Sequence, residues 1–430
     1  MFQKLRALTL CLLTAVGLNA AAQDKGPAFD RWFEDATLRM DYIILGHTAQ
    51  TNVALDDCRI LPHWAGRRGH LDRHLLSGNG KLAISDKQTG QTIYVTTFST
   101  LYQEWLATNE AQGSPRAFEQ VFQIPLPRQE AVATLVLYDT DSDTLACVSH
   151  DIDPTDILWR RDVPATLPPH RLLRQATHST PVNVAIVAEG YRPEEAEKFY
   201  ADAEVACQSI FAHRPFDCFE SRFNMLAVAL PSTESGVSVP RLGEWHETAL
   251  ASHFSTFYSD RYLTTLRLKQ LYDALAGLSF DHIIILANTT EYGGGGIYNA
   301  YTLTTAGHKL FRPVVVHEFG HSFAGLADEY VAGGFESFYG EQIEPWEPNI
   351  TSLIDFEAKW KDMLPPGTDI PTTPTEGDSR RVGVYEGAGY VAQGLYRPTA
   401  DCRMRTNECS EFCPVCQRAI ERIIRFYTEE

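Results

Sequence analysis

The stretch from residue 311 to 330, FRPVVVHEFGHSFAGLADEY, sets two imidazoles four residues apart, His317 and His321, with Glu318 directly after the first. On a helix, side chains four apart share a face, with Cβ atoms about 5 to 6 Å apart. Both rings can then reach one ion at a Zn–N distance of about 2.0 to 2.1 Å. Glu318 is turned about 100° from His317, which takes it out of this clamp and sets it beside a water at the metal. The chemistry implied is hydrolysis, with Glu318 as general base taking the proton of a water that attacks a peptide carbonyl polarised by the ion.

A catalytic zinc takes a third protein ligand and leaves one position open. On a straight helix Asp328 would stand about 10 Å of axial rise beyond His321, out of reach. Gly325 permits a left-handed turn that ends the helix and returns the chain. Asp328 is therefore the expected third ligand and Glu329 its substitute. Gly320 is a poor helix residue, expected where another backbone comes close.

These residues need a frame. Continuous apolar runs at 184–188, 225–230 and 282–287, with a helical pattern at 193–211 between the first two, indicate an α/β sheet buried on both faces. The third run leads into TTEYGGGG, where Gly293, Gly294 and Gly295 would let an extended substrate add as a strand. Ahead of this lie short strand-like runs at 81–85, 92–97, 118–124 and 133–138, divided by turn residues. They carry no catalytic spacing, and a docking or bracing role is expected. A proline-marked stretch at 163–178 separates the two styles. The expected architecture is α+β and multidomain: an antiparallel β-sandwich over 23–165, then an α/β peptidase domain over 175–430.

The 430 residues are 44% hydrophobic, enough for a substantial core, and carry a net charge of −18, which disfavours a nucleic-acid partner. Lys4 and Arg6, an apolar run at 7–18 and three alanines at 20–22 form a secretory signal over 1–22. Cys11 sits inside the apolar run instead of at its end, which argues against lipid attachment. No later run approaches the roughly 18 apolar residues of a membrane span, so the expected location is periplasmic or extracellular. The sequence is silent on oligomeric state.

Between 313 and 358 there are nine acidic residues and neither Lys nor Arg. Such a surface would favour basic substrates or hold a structural Ca2+. Cys402, Cys409, Cys413 and Cys416 could hold a second Zn2+, but in an exported chain disulfides are the expectation, with further pairs Cys207–Cys218 and Cys58–Cys147.

The block 317–330, the strand and glycines at 283–296 (IIILANTTEYGGGG) and the block 385–405 (YEGAGYVAQGLYRPTADCRMR) resemble the IgA-peptidase family of secreted zinc metallopeptidases, related in design to metzincins. Segments 182–191 and 232–240 are also similar to that family, as are 38–42 and 98–105 to its N-terminal module. The resemblance implies a metzincin-like zinc peptidase domain, zinc ligands His317, His321 and Asp328, the base Glu318, and Met404 as the methionine of a supporting Met-turn. Metzincins place the glycine and the third ligand three and six residues after the second histidine, where this chain has Ala324 and Ala327; Gly325 and Asp328 each come one residue later. Some place a tyrosine two residues after the methionine, where this chain has Thr406. An oxyanion-stabilising tyrosine would come from Tyr330, Tyr385 or Tyr390. The competing readings are an inactive surface module that binds glycan or protein, and a zinc amidase acting on cell-wall peptides.

Overall fold

The computed structural model describes residues 27–161, 163–164, 166–332, 339–340, 342–375, 377 and 379–429. The expected signal at 1–22 and the acidic residues Glu336 and Glu341 lie outside the described residues.

Seven strands come first: β1 (Phe33–His47), β2 (Gln50–Pro62), β3 (Gly80–Asp86), β4 (Thr92–Phe98), β5 (Arg116–Pro127), β6 (Ala131–Tyr138) and β7 (Thr144–Ile152). They form two antiparallel sheets, ordered β2-β1-β5 and β4-β3-β6-β7. The sheets meet through aromatic contacts such as Phe98 against Phe122, ring centroids 4.5 Å apart. Leu38, Met40, Tyr42 and Ile44 of β1 alternate into this core at 0% exposure. The opposite face of β1 is also buried, and it carries charge. Arg39 Nε lies 2.7 Å from Asp41 Oδ1, and its Nη1 lies 2.6 Å from Asp273 on the helix Leu268–Leu275. A buried guanidinium is tolerable only when paired in this way, so β1 docks the first region onto the second.

The second region is built on one six-stranded sheet, ordered β12-β13-β11-β9-β10-β8, from β8 (His170–Arg174), β9 (Val182–Glu189), β10 (Phe223–Val228), β11 (His282–Ala287), β12 (Gly294–Ile297) and β13 (Tyr301–Thr305). The four inner strands are parallel, and each edge strand runs antiparallel to its neighbour. Their apolar runs serve two cores at once. Ala185, Val187, Ile283 and Ile285 join the core of the N-terminal sheets, whereas Val184, Ile186, Ile284 and Leu286 face the helices Ala196–Phe211, Phe311–Ala324 and Pro414–Thr428. The proline-marked stretch is more than a connector, because β8 within it pairs with β10. Among the described residues no helix is long and apolar enough to cross a membrane.

None of the expected disulfides is formed: all eight described cysteines are free. Cys58 and Cys207 are buried while Cys147 and Cys218 are exposed. Cys58 lies in β2 and Cys147 in β7, on different sheets.

Candidate active site

The helix Phe311–Ala324 carries the motif. Its three consecutive valines are poor helix formers, but it is apolar on nearly every side, and burial of Val315, Val316, Phe319 and Phe323 between sheet and helices fixes it. It ends at Gly325, whose φ of +58° places it in the left-handed region. The amides of Gly325 and Leu326 bond back to the carbonyls of His321 and Gly320 at 2.9 and 3.2 Å, which satisfies the helix end and reverses the chain.

The reversal brings Asp328 to the histidines. His317 Nε2 and His321 Nε2 are 3.0 Å apart, and Asp328 Oδ1 lies 3.0 and 3.4 Å from them. Each ring is oriented from behind: Nδ1 of His317 donates to the Arg403 carbonyl at 3.0 Å, and Nδ1 of His321 donates to the Leu326 carbonyl. This fixes the tautomer, because a carbonyl can only accept, so both Nε2 atoms face Asp328 with lone pairs. Tyr390 donates its hydroxyl to Asp328 Oδ2, leaving Oδ1 for the centre. Three lone pairs at such separations call for a cation between them. The electrostatics show the same demand: burial opposes a positive charge on His321, but the Asp328 carboxylate outweighs it and pushes the imidazole up to about 9. Burial likewise opposes ionisation of Asp328, and the two histidines overcome it, holding its carboxyl far below the usual range. The donor set of two imidazoles and a carboxylate fits zinc with one position left open.

Glu318 stands beside this triad, and burial raises its carboxyl above the usual value. Its position depends on β12. A Cβ added to Gly294 would lie 2.8 Å from Glu318 Oε1, and one on Gly296 would lie 2.3 Å from the Glu318 carbonyl. The glycines thus let the sheet edge press against the motif helix. The outer edge of β12 is partly taken: Gly294 N–H donates to the Arg261 carbonyl at 3.3 Å and its carbonyl accepts from Leu263 at 3.4 Å. Strand addition at Gly294 would have to displace that segment. Gly293 lies against the Arg261 carbonyl and Gly295 against the Tyr262 ring, so both are close-packing positions.

Other expectations change. Glu329 is no substitute ligand, since its Oε1 accepts from Asn349 at 2.9 Å and from Cys416 Sγ at 3.2 Å, away from the histidines. What comes close to Gly320 is a side chain, not a backbone: a Cβ there would lie 2.9 Å from Met404 Sδ. Tyr330 and Tyr390 stack edge to face at 5.3 Å next to Asp328, with Arg261 donating to the Tyr330 hydroxyl at 3.1 Å. Tyr385 is 1% exposed, with its hydroxyl donating to the Arg381 carbonyl, and so is packed inside instead of presented to a substrate. The acidic stretch is largely not a free surface. Glu318, Asp328 and Glu329 serve the sites, Glu344 accepts from the Ser352 hydroxyl and from two backbone amides, and Glu347 accepts from Tyr339. Among the described residues, none of the acidic residues after Glu329 belongs to a group able to hold a metal.

Three features of the site carry no sequence signal of their own. The Arg403 and Leu326 carbonyls act through the backbone. Glu104 comes from the N-terminal helix Leu101–Leu106 and accepts the hydroxyl of Tyr262, the ring that covers Gly295. It reaches the site only because the first region packs on the second.

A carboxylate beside a cation-demanding triad, set under the edge of a largely parallel sheet, defines a metal-dependent hydrolytic site. The family model described as IgA Peptidase M64 matches residues 171–378 and 373–424, and the one described as Peptidase M64 N-terminus matches 28–147. The chain belongs to the M64 family of IgA peptidases and is a metallopeptidase acting on protein or peptide. Its fold is mixed α+β, an N-terminal antiparallel-sheet region followed by a C-terminal peptidase domain. No curated protein matches it.

Proposed function

We propose that the chain is an exported, zinc-dependent endopeptidase that hydrolyses extracellular proteins through a metzincin-like site. The observation that carries this reading is the convergence of His317 Nε2, His321 Nε2 and Asp328 Oδ1 within 3.4 Å of one another, with Glu318 alongside. Zinc bound by these three atoms would polarise the scissile carbonyl and acidify water. Glu318 takes the water proton on its carboxylate and passes it to the leaving amide nitrogen, a transfer eased by the burial that already favours its protonated form. Tyr390 keeps Asp328 Oδ1 turned inward, and Met404 supports the motif helix where only Gly320 leaves room. Arg261, which donates to the Tyr330 hydroxyl, and Tyr330, packed on Tyr390 beside Asp328, would meet the developing oxyanion in this reading.

The test is Glu318→Gln, which should keep parent metal content and lose hydrolysis of a peptide library by at least ~100-fold. Cleavage at the parent rate would remove Glu318 from the base role. The leader at 1–22 motivates the location, which fractionation of cells expressing the full chain would check.

A further inference from the structure

The motif 402–416 holds four cysteines, and the structure selects three of them. Sγ of Cys402, Cys413 and Cys416 and a carboxylate oxygen of Glu329 all lie within 4.8 Å of one another. All four residues are buried, at 0%, 1%, 0% and 0% exposure respectively. Cys409 stands apart and partly exposed, its thiol directed to the Glu411 carbonyl. We propose that Glu329, Cys402, Cys413 and Cys416 form a second metal centre that holds a structural zinc ion.

The spacing fits a tetrahedron. With Zn–S bonds of about 2.3 Å, ligand sulfurs stand about 3.8 Å apart, and Cys402 Sγ to Cys416 Sγ is 3.8 Å. A disulfide would need about 2.05 Å. The sulfurs are also supported as metal thiolates usually are. Cys413 N–H donates to Cys402 Sγ at 3.2 Å and Cys416 N–H to Cys413 Sγ at 3.4 Å, the latter at the first turn of the helix Pro414–Thr428, whose N-terminus favours negative charge. Glu329 Oε2 is buried without a hydrogen-bond partner, an acceptor left over in a place where water would normally be required. Three sulfurs exclude calcium and magnesium, which take oxygen ligands. Four protein ligands with no exposed face leave no position for water, so the role is structural. On binding, each ligating thiol releases its proton to solvent, and no oxidant is needed.

The ion would tie together three segments that the first centre depends on. Glu329 follows Asp328 directly, and its N–H donates to the Met404 carbonyl at 2.8 Å. Cys402 precedes Arg403, whose carbonyl orients His317. Cys413 caps the last helix. Loss of this ion should therefore weaken metal binding at the histidines as well.

The test is metal analysis and X-ray absorption on the full chain, purified without chelator, alongside the His317→Ala/His321→Ala variant. The expectation is two zinc ions per parent chain, and one in the variant with a shell of three sulfurs near 2.3 Å. Cobalt loaded into the variant should give a thiolate charge-transfer band in the near ultraviolet, which Cys413→Ser in the same background should remove. A variant without metal, or peptide mapping that finds Cys402, Cys413 or Cys416 in a disulfide, overturns the proposal. A parent chain with a single ion in a shell of three sulfurs and one oxygen would instead overturn the catalytic zinc and leave this centre standing.

Discussion

Gly294→Ala tests whether Glu318 acts from the position the sheet edge gives it. The added Cβ would sit 2.8 Å from Glu318 Oε1 and 3.0 Å from both Cδ and Cγ. Ordinary carbon–carbon contacts are about 3.5 to 4.0 Å, so the carboxylate must move by roughly half an ångström to one ångström. The atoms met belong to a flexible side chain and not to backbone, which keeps the stability cost to about 1 kcal/mol, the low end of the range for overpacking. Catalysis is less forgiving, since a misplacement of about 1 Å can cost ~100-fold. The expected outcome is a 10- to 100-fold fall in kcat, with zinc content at the parent level and a thermal midpoint within a few degrees of it. The assay is cleavage of the best peptide from library profiling, with metal analysis and a thermal melt on the same sample. Parent kcat in a variant that binds metal normally would refute the idea that Glu318 works from beneath β12.

Tyr390→Phe removes the donor to Asp328 Oδ2 and should weaken zinc binding by about 10- to 100-fold, as loss of such an outer partner does; competition with a chromophoric chelator measures it, and an unchanged affinity counts against the ligand role of Asp328. Gly320→Ala should lower the thermal midpoint although alanine is the better helix former by ~1 kcal/mol, because the Cβ meets Met404 Sδ at 2.9 Å in a closed core; a clear rise would show that Met404 yields freely. Glu104→Gln should stabilise the protein more at pH 8 than at pH 5. Burial pushes the Glu104 carboxyl up to about 7, against the hydrogen bond from Tyr262. Below the unfolded value of about 4.5 both states are protonated and nothing is lost; between about 4.5 and 7 the unfolded chain is ionised while the folded state still holds the proton, so stability falls as pH rises, and the loss is complete above about 7. Denaturant titrations at the two pH values should differ by ~1 to 3 kcal/mol in the variant's gain, and a pH-independent gain would place the cause elsewhere.

Much of the frame could be read from residue type. The runs at 184–188 and 283–287 became inner strands because nothing polar interrupts them, and residues 81–85 alternate as half-buried strands do. β1 was harder to read, since Arg39 and Asp41 interrupt its apolar pattern; they are buried by pairing with each other and with Asp273, a partner more than 200 residues away. Gly325 announced the end of the helix and the return of Asp328, since only a reversed chain closes a gap of about 10 Å to the observed 3.4 Å. The cysteines misled because export argues for oxidation, and sequence spacing cannot show that a glutamate from another segment completes their cluster. The acidic stretch misled for a related reason: charge along a sequence does not tell which carboxylates turn inward.

The adjacent pair Asp328 and Glu329 links the two clusters. Successive side chains in an extended segment point to opposite sides, and here the first meets the histidines while the second meets the cysteines. One dipeptide therefore sets the register of both clusters, and a slip of one residue would exchange a ligand suited to two imidazoles for one suited to three sulfurs. The segment is accordingly held by backbone bonds on both sides: Glu329 N–H to the Met404 carbonyl at 2.8 Å, Gly389 N–H to the Asp328 carbonyl at 2.9 Å, and Tyr390 N–H to the Tyr330 carbonyl at 3.0 Å. These bonds come from the Met404 turn and from the hairpin of Tyr385–Ala388 and Val391–Arg397. The block 385–405 thus acts on both clusters through its backbone as well as through the buried side chains of Tyr390, Cys402 and Met404, so substitutions of its exposed side chains should be tolerated while insertions within it should abolish metal binding, as metal analysis of such variants would read.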